Sequence, residues 1–302
     1  MKLLLAATKR SRAGAICRAL APLGVDVRVA GFGSDLVDWA DAILPLDGRD
    51  ICYLQAVYPQ LAGRKFLAPA AATFGLCEDK QAFSERLLVA GFGDWLPLPR
   101  PGATAVRKPR VGTGGARATG AIYAGGAGDP AWTWQRWISA EVEHAAHLLV
   151  GPDGSVAMSR MVSYPHRPGT MRRGLRDGAG QVTPLPGEHL ALFTAMLTEL
   201  GFRGFCCFDY FVEDGRPQVL ELNGRIGGSL MRMPGPLGQA YCQAVRPDLT
   251  AHWPAIVWPD SVRQSDGARG LAERLQRAVA GLARGQAAGA LATGRALPGG
   301  PG

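Results

Sequence analysis

Charge is scarce in this sequence. Only 19% of the 302 residues are Asp, Glu, Lys or Arg, while 47% are hydrophobic. That balance excludes a mainly disordered chain, which would be rich in charge and too poor in apolar surface to offset ordering. Long apolar runs are missing as well: none approaches the ~20 residues of a membrane-spanning helix. The short apolar stretch 3–7 therefore reads as a first β-strand rather than a secretory signal. None of the six cysteines forms a C-x-x-C pair. Adjacent Cys206 and Cys207 would point to opposite faces of a strand. These are scattered buried thiols rather than a disulfide framework, and they favour the cytoplasm.

Lys and Arg number 33 against 25 acidic residues, an excess of 8. Yet there is no five-residue basic block and no zinc-finger or RNA-binding signature. The scattered positive charge fits small anionic molecules better than nucleic acid. A nucleic-acid-binding protein, the alternative class, would need a contiguous positive stripe and would lose affinity steeply with salt. The turn Gly31-Phe32-Gly33 lacks the third Gly of a dinucleotide fingerprint and follows the second strand, not the first. No Ser-His-Asp or Cys-His set supplies a protein nucleophile.

What is present reads first as alternating strands and helices. Residues 3–7 and 25–30 are strands around a helix at 12–23, with Ser11 as its cap and Gly24 as its stop. Short helices follow at 35–41 and 52–61, and a strand at 65–68. That order predicts a small parallel sheet. Beyond residue 76 come a helix over 78–90 and a Pro-rich linker over 96–102. Strands are predicted at 105–108, 132–138, 145–150 and 155–162, a helix at 188–200, and strands at 205–212 and 218–222. Leu271, Leu275, Val279 and Leu282 recur at helical spacing. From Gly285 the chain is Gly, Ala and Pro and reads as disordered.

Two segments carry chemistry. In the hairpin 208–225, Asp209 lies on one strand, and Glu221 and Asn223, two apart, share a face of the next. Two carboxylates and an amide oxygen are hard ligands suited to Mg²⁺ with phosphate and water. Arg225 offers a planar fork of donors to a phosphoryl group. Asp209 and Glu221 reach the same face only through an odd loop or a single bulge, expected next to Gly215. In the second segment, 106–118, a strand delivers Lys108, followed by Gly112, Gly114 and Gly115. Glycines let backbone N–H groups approach phosphate, and Lys neutralises it, although the order is not that of a P-loop. His144 and His147 are three apart, an odd spacing that separates them across a strand and argues against a shared metal.

Taken in series, these segments resemble the ATP-grasp superfamily over residues 70–245. Glu78-Asp79-Lys80 with Phe83 is similar to the family's D-K-x-x-F segment. Lys108 with its glycines is similar to the second ATP lysine and the phosphate-covering loop. Gln135, Arg136, Trp137 and Ile138 resemble the adenine hinge, with Glu143 or its rival Glu141 for the ribose. The hairpin resembles the D…E-x-N-x-R site, with Gly224 where Pro is usual, and Arg160 sits on a strand that often carries a further phosphate-contacting base. The basic run 164–173 could clamp a substrate carboxylate.

The resemblance implies an α/β protein with an ATP-grasp fold, two α+β lobes preceded by a short parallel-sheet domain. Its expected parts are 1–75, 76–250 and 251–302. It implies an ATP-dependent carboxylate–amine ligase working through an acylphosphate, or a carboxylase or synthetase of another pathway. Asp209, Glu221 and Asn223 would bind Mg²⁺, or Mn²⁺ in its place. Lys80, Lys108, Gly112, Gly114, Gly115, Gln135, Trp137, Ile138 and Glu143 would bind ATP. Arg225 and Arg160 would act on the transferred group. The implied partners are a small carboxylate and an amine, with no nucleic acid or membrane; a homodimer is compatible with the reading.

Overall fold

Leu3, Leu4 and Leu5 have no solvent exposure, as expected of a parallel strand covered on both faces. They lie on β1 (Lys2–Ala6), which pairs in parallel with β2 (Asp26–Ala30) on one side and β3 (Ala42–Leu44) on the other. The computed structural model describes residues 1–112, 119–125, 129–165 and 179–263. Gly114, Gly115, residues 166–173 of the basic loop, the helical repeat 271–282 and the tail from Gly285 lie outside them. Met1–Val262 make one compact unit.

Helix α1 (Arg10–Leu20) connects β1 to β2, and α2 (Ser34–Trp39) connects β2 to β3. Helix α3 spans Gly48–Val57 and starts earlier than the sequence predicts. Its cap is a reciprocal box in which Asp47 accepts from the Asp50 backbone and Asp50 from that of Asp47. The strand predicted at 65–68 does not form; Phe66 makes only an isolated bridge to Ala62.

One helix was predicted over 78–90. The structure has two, α4 (Ala71–Glu78) and α5 (Lys80–Val89). The break is Asp79, whose extended backbone lets its carboxylate cap α5 through Gln81 N and Ala82 N, each at 3.1 Å.

A small antiparallel sheet follows, in the order β5 (Thr119–Ile122), β4 (Thr104–Pro109), β6 (Trp132–Arg136). The largest sheet has six strands. They are ordered β11 (Arg216–Asn223), β10 (Gly204–Glu213), β7 (Val142–Val150), β8 (Val156–Pro165), β9 (Ala179–Thr183) and β12 (Ser261–Arg263). One face packs against α6 (Gly187–Glu199) and α5 through Phe193, Met196, Phe83, Leu87, Phe208 and Tyr210. The opposite face carries Ala145, Val162 and Phe205 into a core shared with Leu3, Leu4, Leu5 and helix α7 (Pro234–Val245). Tyr241 ties these layers: its hydroxyl donates to Ile43 O at 2.6 Å and accepts from Leu67 N at 3.0 Å. The sequence reading missed α7 because its Pro-Gly-Pro start looks like a loop, although Pro suits the first helical turn. Trp253, Ile256 and Trp258 pack on the same core, so the segment after α7 is docked as far as Val262.

On the α6 face, His144 stacks on Tyr210, with Ser163 Oγ 2.9 Å from its Nδ1 and His189 on α6 beyond. Burial, and then the neighbouring His189, push the His144 ring down to about 4 from an ordinary 6.5, against an opposing pull from Glu143. Burial lowers His189 as well. Below pH 6.5 the unfolded chain binds protons that the folded chain refuses, so stability falls as pH drops towards 4. With allowance for solvent screening, the loss from pH 7 to 5 is about 1–2 kcal/mol from His144. Urea unfolding at the two pH values should show it, reduced in His144→Gln and smallest in His144→Gln/His189→Gln. A pH-independent midpoint in the parent protein would contradict the burial.

Candidate active site

The hairpin of β10 and β11 turns through Asp214 and Gly215, both with positive φ (50° and 76°). This two-residue turn opposes Glu213 with Arg216, and the same register holds to Tyr210 and Val219. Continued unchanged, it would set Asp209 against Leu220. Instead the register shifts between Asp209 and Tyr210, and Asp209 opposes Glu221. The bulge the site needs is thus present, but at Leu220 rather than beside Gly215, where the turn is regular. Asp209 and Glu221 share a face, with Cβ atoms of such a pair about 4.5–5.5 Å apart. Asn223 lies one row further, its Nδ2 donating to Asp209 Oδ2 at 3.2 Å.

Being the extra residue, Leu220 also offers its carbonyl to the small sheet. Lys108 Nζ donates to Leu220 O at 3.2 Å and Gln135 Nε2 at 2.7 Å. Lys108 and Gln135 share a face because Lys108 opposes Thr133 and Val106 opposes Gln135. Ile138 packs with Phe211 and Leu220 against the same point.

Lys80 reaches the hairpin from the start of α5, which packs on the same sheet. Asp79 holds the start of α5 and also grips Arg110 Nε at 2.7 Å, which ties α5 to the end of β4. Desolvation would raise the Asp79 carboxyl. Arg110 and the capping N–H groups outweigh it and hold the carboxyl below its ordinary range. Lys80 N donates to Arg110 O at 3.0 Å, and buried Lys80 Nζ then meets Gly112 O at 2.7 Å and Glu221 Oε2 at 3.3 Å. Burial alone would raise the Glu221 carboxyl too. The Lys108 and Lys80 ammonium groups, with hydrogen bonds from Lys80 and Asn223, overcome it and keep Glu221 below the usual carboxylate range. Arg225 Nη2 donates to Asn223 Oδ1 at 3.1 Å, and its Nε lies 3.7 Å from Glu78.

The structure therefore brings together Lys80, Lys108, Gly112, Gln135, Ile138, Asp209, Glu221, Asn223 and Arg225. Trp137 borders the group; its backbone N donates to Thr104 O at 3.1 Å. Glu143 is buried on β7 opposite Phe211, on the Asp209 face, whereas Glu141 is exposed before the strand. Arg160 is set apart. It shares a face with Asn223 but lies three strands away, roughly 14 Å at about 4.8 Å per strand. Its guanidinium sits over the Trp258 ring at 4.8 Å. Glu78 and the Leu220 carbonyl were missed by the sequence reading. Glu78 adjoins the Asp79-Lys80 pair and could have been weighed; a carbonyl freed by a bulge has no side-chain signature.

The oxygen set suits a divalent cation in part. Among the described residues, no three His, Cys, Asp or Glu converge on one point. Two carboxylates and an amide beside two lysines fit a Mg²⁺ ion that draws its remaining oxygens from phosphate and water.

No protein-family model matches this chain, and neither does any curated protein. Solved structures do. Campylobacter jejuni biotin carboxylase in a β,γ-ATP complex superposes with a TM-score of 0.55 at 14% identity, over 85% of this chain and 72% of that one. The chain has the ATP-grasp fold. Bacillus licheniformis L-amino acid ligase matches at TM-score 0.55 and 15% identity, over 81% of this chain and 74% of its own. Bacillus anthracis D-alanine–D-alanine ligase in complex with ATP matches at 0.53 and 15%, over 83% and 99%. Within this fold, Lys80 and Lys108 both meet β11, at Glu221 and at the Leu220 carbonyl. All six cysteines are free, and no helix among the described residues is long and apolar enough to cross a membrane.

Either lysine is expendable for folding if its role is to meet phosphate. Lys108→Ala should keep the fold and weaken ATP binding about ten- to a hundred-fold, the worth of one hydrogen bond to a charged group. Lys80→Ala should do the same in calorimetric titration. Unchanged affinity in a folded Lys108 variant would remove that residue from the site.

Proposed function

We propose that this protein is an ATP-dependent ligase that joins a small carboxylate to an amine through an acylphosphate. One observation carries the reading: two lysines from separate elements converge on a hairpin whose bulge sets Asp209 and Glu221 on one face. Cations and paired carboxylates meeting at one edge suit a metal–nucleotide. In this reading residues 1–75 precede the two lobes, 76–250 form them, and 251–302 follow.

Lys80 and Lys108 exchange their present partners, Gly112 O, Glu221 and Leu220 O, for phosphate oxygens. Glu221, held ionised by both lysines, and Asp209 with Asn223 would hold Mg²⁺. When bound, Mg²⁺ neutralises charge on the β- and γ-phosphates. Trp137, Ile138 and a ribose-binding acid, Glu143 or Glu141, would seat the nucleoside. Arg225 directs its guanidinium at the group in transfer, where charge grows in the transition state.

A substrate carboxylate oxygen attacks the γ-phosphorus, the bond to the β–γ bridging oxygen breaks, and ADP leaves. The amine then attacks the acyl carbon, loses a proton and expels phosphate. No protein nucleophile enters either step. Arg160, at the far side of the same face, is assigned to the substrate's acidic group or its phosphorylated form.

A phosphate-release screen over paired carboxylates and amines tests this. The expected result is Mg²⁺-dependent release that requires one acid and one amine together, yields a product of the condensed mass, and is lost in Asp209→Asn. Binding of ATP with no acid- and amine-dependent turnover across a broad panel would contradict the ligase assignment.

A further inference from the structure

His147 has no solvent exposure and faces the same side of the sheet as the hairpin carboxylates. It stands in one cross-strand row: Asn223 on β11 opposes Cys207 on β10, and Cys207 opposes His147 on β7. Its Nε2 lies 2.6 Å from the Oγ of Ser229, which is itself buried. Ser229 ends the stretch 224–229 that leaves β11 directly after Asn223 and carries Arg225. Midway, Gly227 passes so close to the ring that a Cβ there would lie 2.4 Å from His147 Cε1 and 2.8 Å from Nδ1. Only glycine allows that approach. The stretch is therefore clasped at both ends. Arg225 bonds Asn223 at the strand terminus, and four residues on Ser229 bonds His147.

We propose that His147 is a positioning residue for Arg225: by clasping Ser229 and seating Gly227, it fixes the 224–229 loop so that the guanidinium is held where the transferred phosphoryl group would lie. The inference rests on the ligase reading above, which puts Arg225 on the γ-phosphoryl group. A histidine that merely supported the fold would affect every ligand of the site alike. One that aims Arg225 matters only for ligands that bear a γ-phosphoryl group.

The test compares Mg·ADP with the Mg complex of a non-hydrolysable ATP analogue by calorimetry, in the full chain. His147→Ala should weaken the analogue by roughly ten-fold, the worth of about one hydrogen bond to a charged group, and leave ADP nearly unchanged. His147→Gln, whose amide can reach Ser229, should recover most of the loss. Ser229→Ala should reproduce the defect and add little in the His147→Ala background. Gly227→Ala should show the same selective loss and serves, with Ser229→Ala, if His147→Ala does not fold. Equal weakening of both ligands, a Gln variant no better than Ala, or no loss in folded variants overturns the inference and leaves the ligase reading standing. Failure of the parent protein to bind either magnesium nucleotide overturns the ligase reading, and this inference with it.

Discussion

A β-hairpin with a tight two-residue turn has no freedom in its register. Once Asp214 and Gly215 make that turn, every later pair is set, and Asp209 would face Leu220 with Glu221 on the opposite side of the sheet. One extra residue changes this. The bulge at Leu220 moves Glu221 to the Asp209 face and frees a carbonyl that Lys108 and Gln135 both take. The same irregularity thus assembles the acidic pair and docks the small sheet on it. Removing it would separate the carboxylates and undock the lysine together, so the site has a single geometric origin.

The charges around it are balanced in advance. Lys80 and Lys108 hold Glu221 ionised despite its burial, and Glu221 in turn compensates two ammonium groups that would otherwise repel each other. Asp79 takes no direct part. It caps α5 and binds Arg110, and by doing both it brings the start of α5 and the end of β4 together so that Lys80 reaches Gly112. The cations rest on Glu221, Gly112 O and Leu220 O, the contacts that phosphate oxygens take over in the proposed function.

Much of this was legible in the sequence, and the reasons differ by residue. The period-two spacing of Glu221 and Asn223 put them on one face without any tertiary information. The requirement that Asp209 join them was arithmetic, and so was the need for an odd insertion. Its position was not, because Gly215 is a conspicuous bulge former while the contacts at Leu220, from Lys108 and Gln135, come from another sheet. The break at Asp79 was hidden by helix formers on both sides; the Asp79 carboxylate that caps α5 is also held by Arg110, some thirty residues on. The spacing of His147 from His144 raises only the question of a shared metal, and its partner Ser229 lies beyond the hairpin, outside any local pattern. Helix α7 was masked by prolines and a glycine that in fact begin it.

The central claim is that the hairpin and the two lysines form one nucleotide–metal site. A crystal structure with a non-hydrolysable ATP analogue and Mg²⁺ tests it most directly. The account predicts Mg²⁺ about 2.1 Å from oxygens of Asp209 or Glu221 and of the nucleotide, with Lys80 and Lys108 turned from Glu221 and Leu220 O onto phosphate. A nucleotide bound elsewhere, or bound here with both lysines still on their present partners and no metal on either carboxylate, would contradict it.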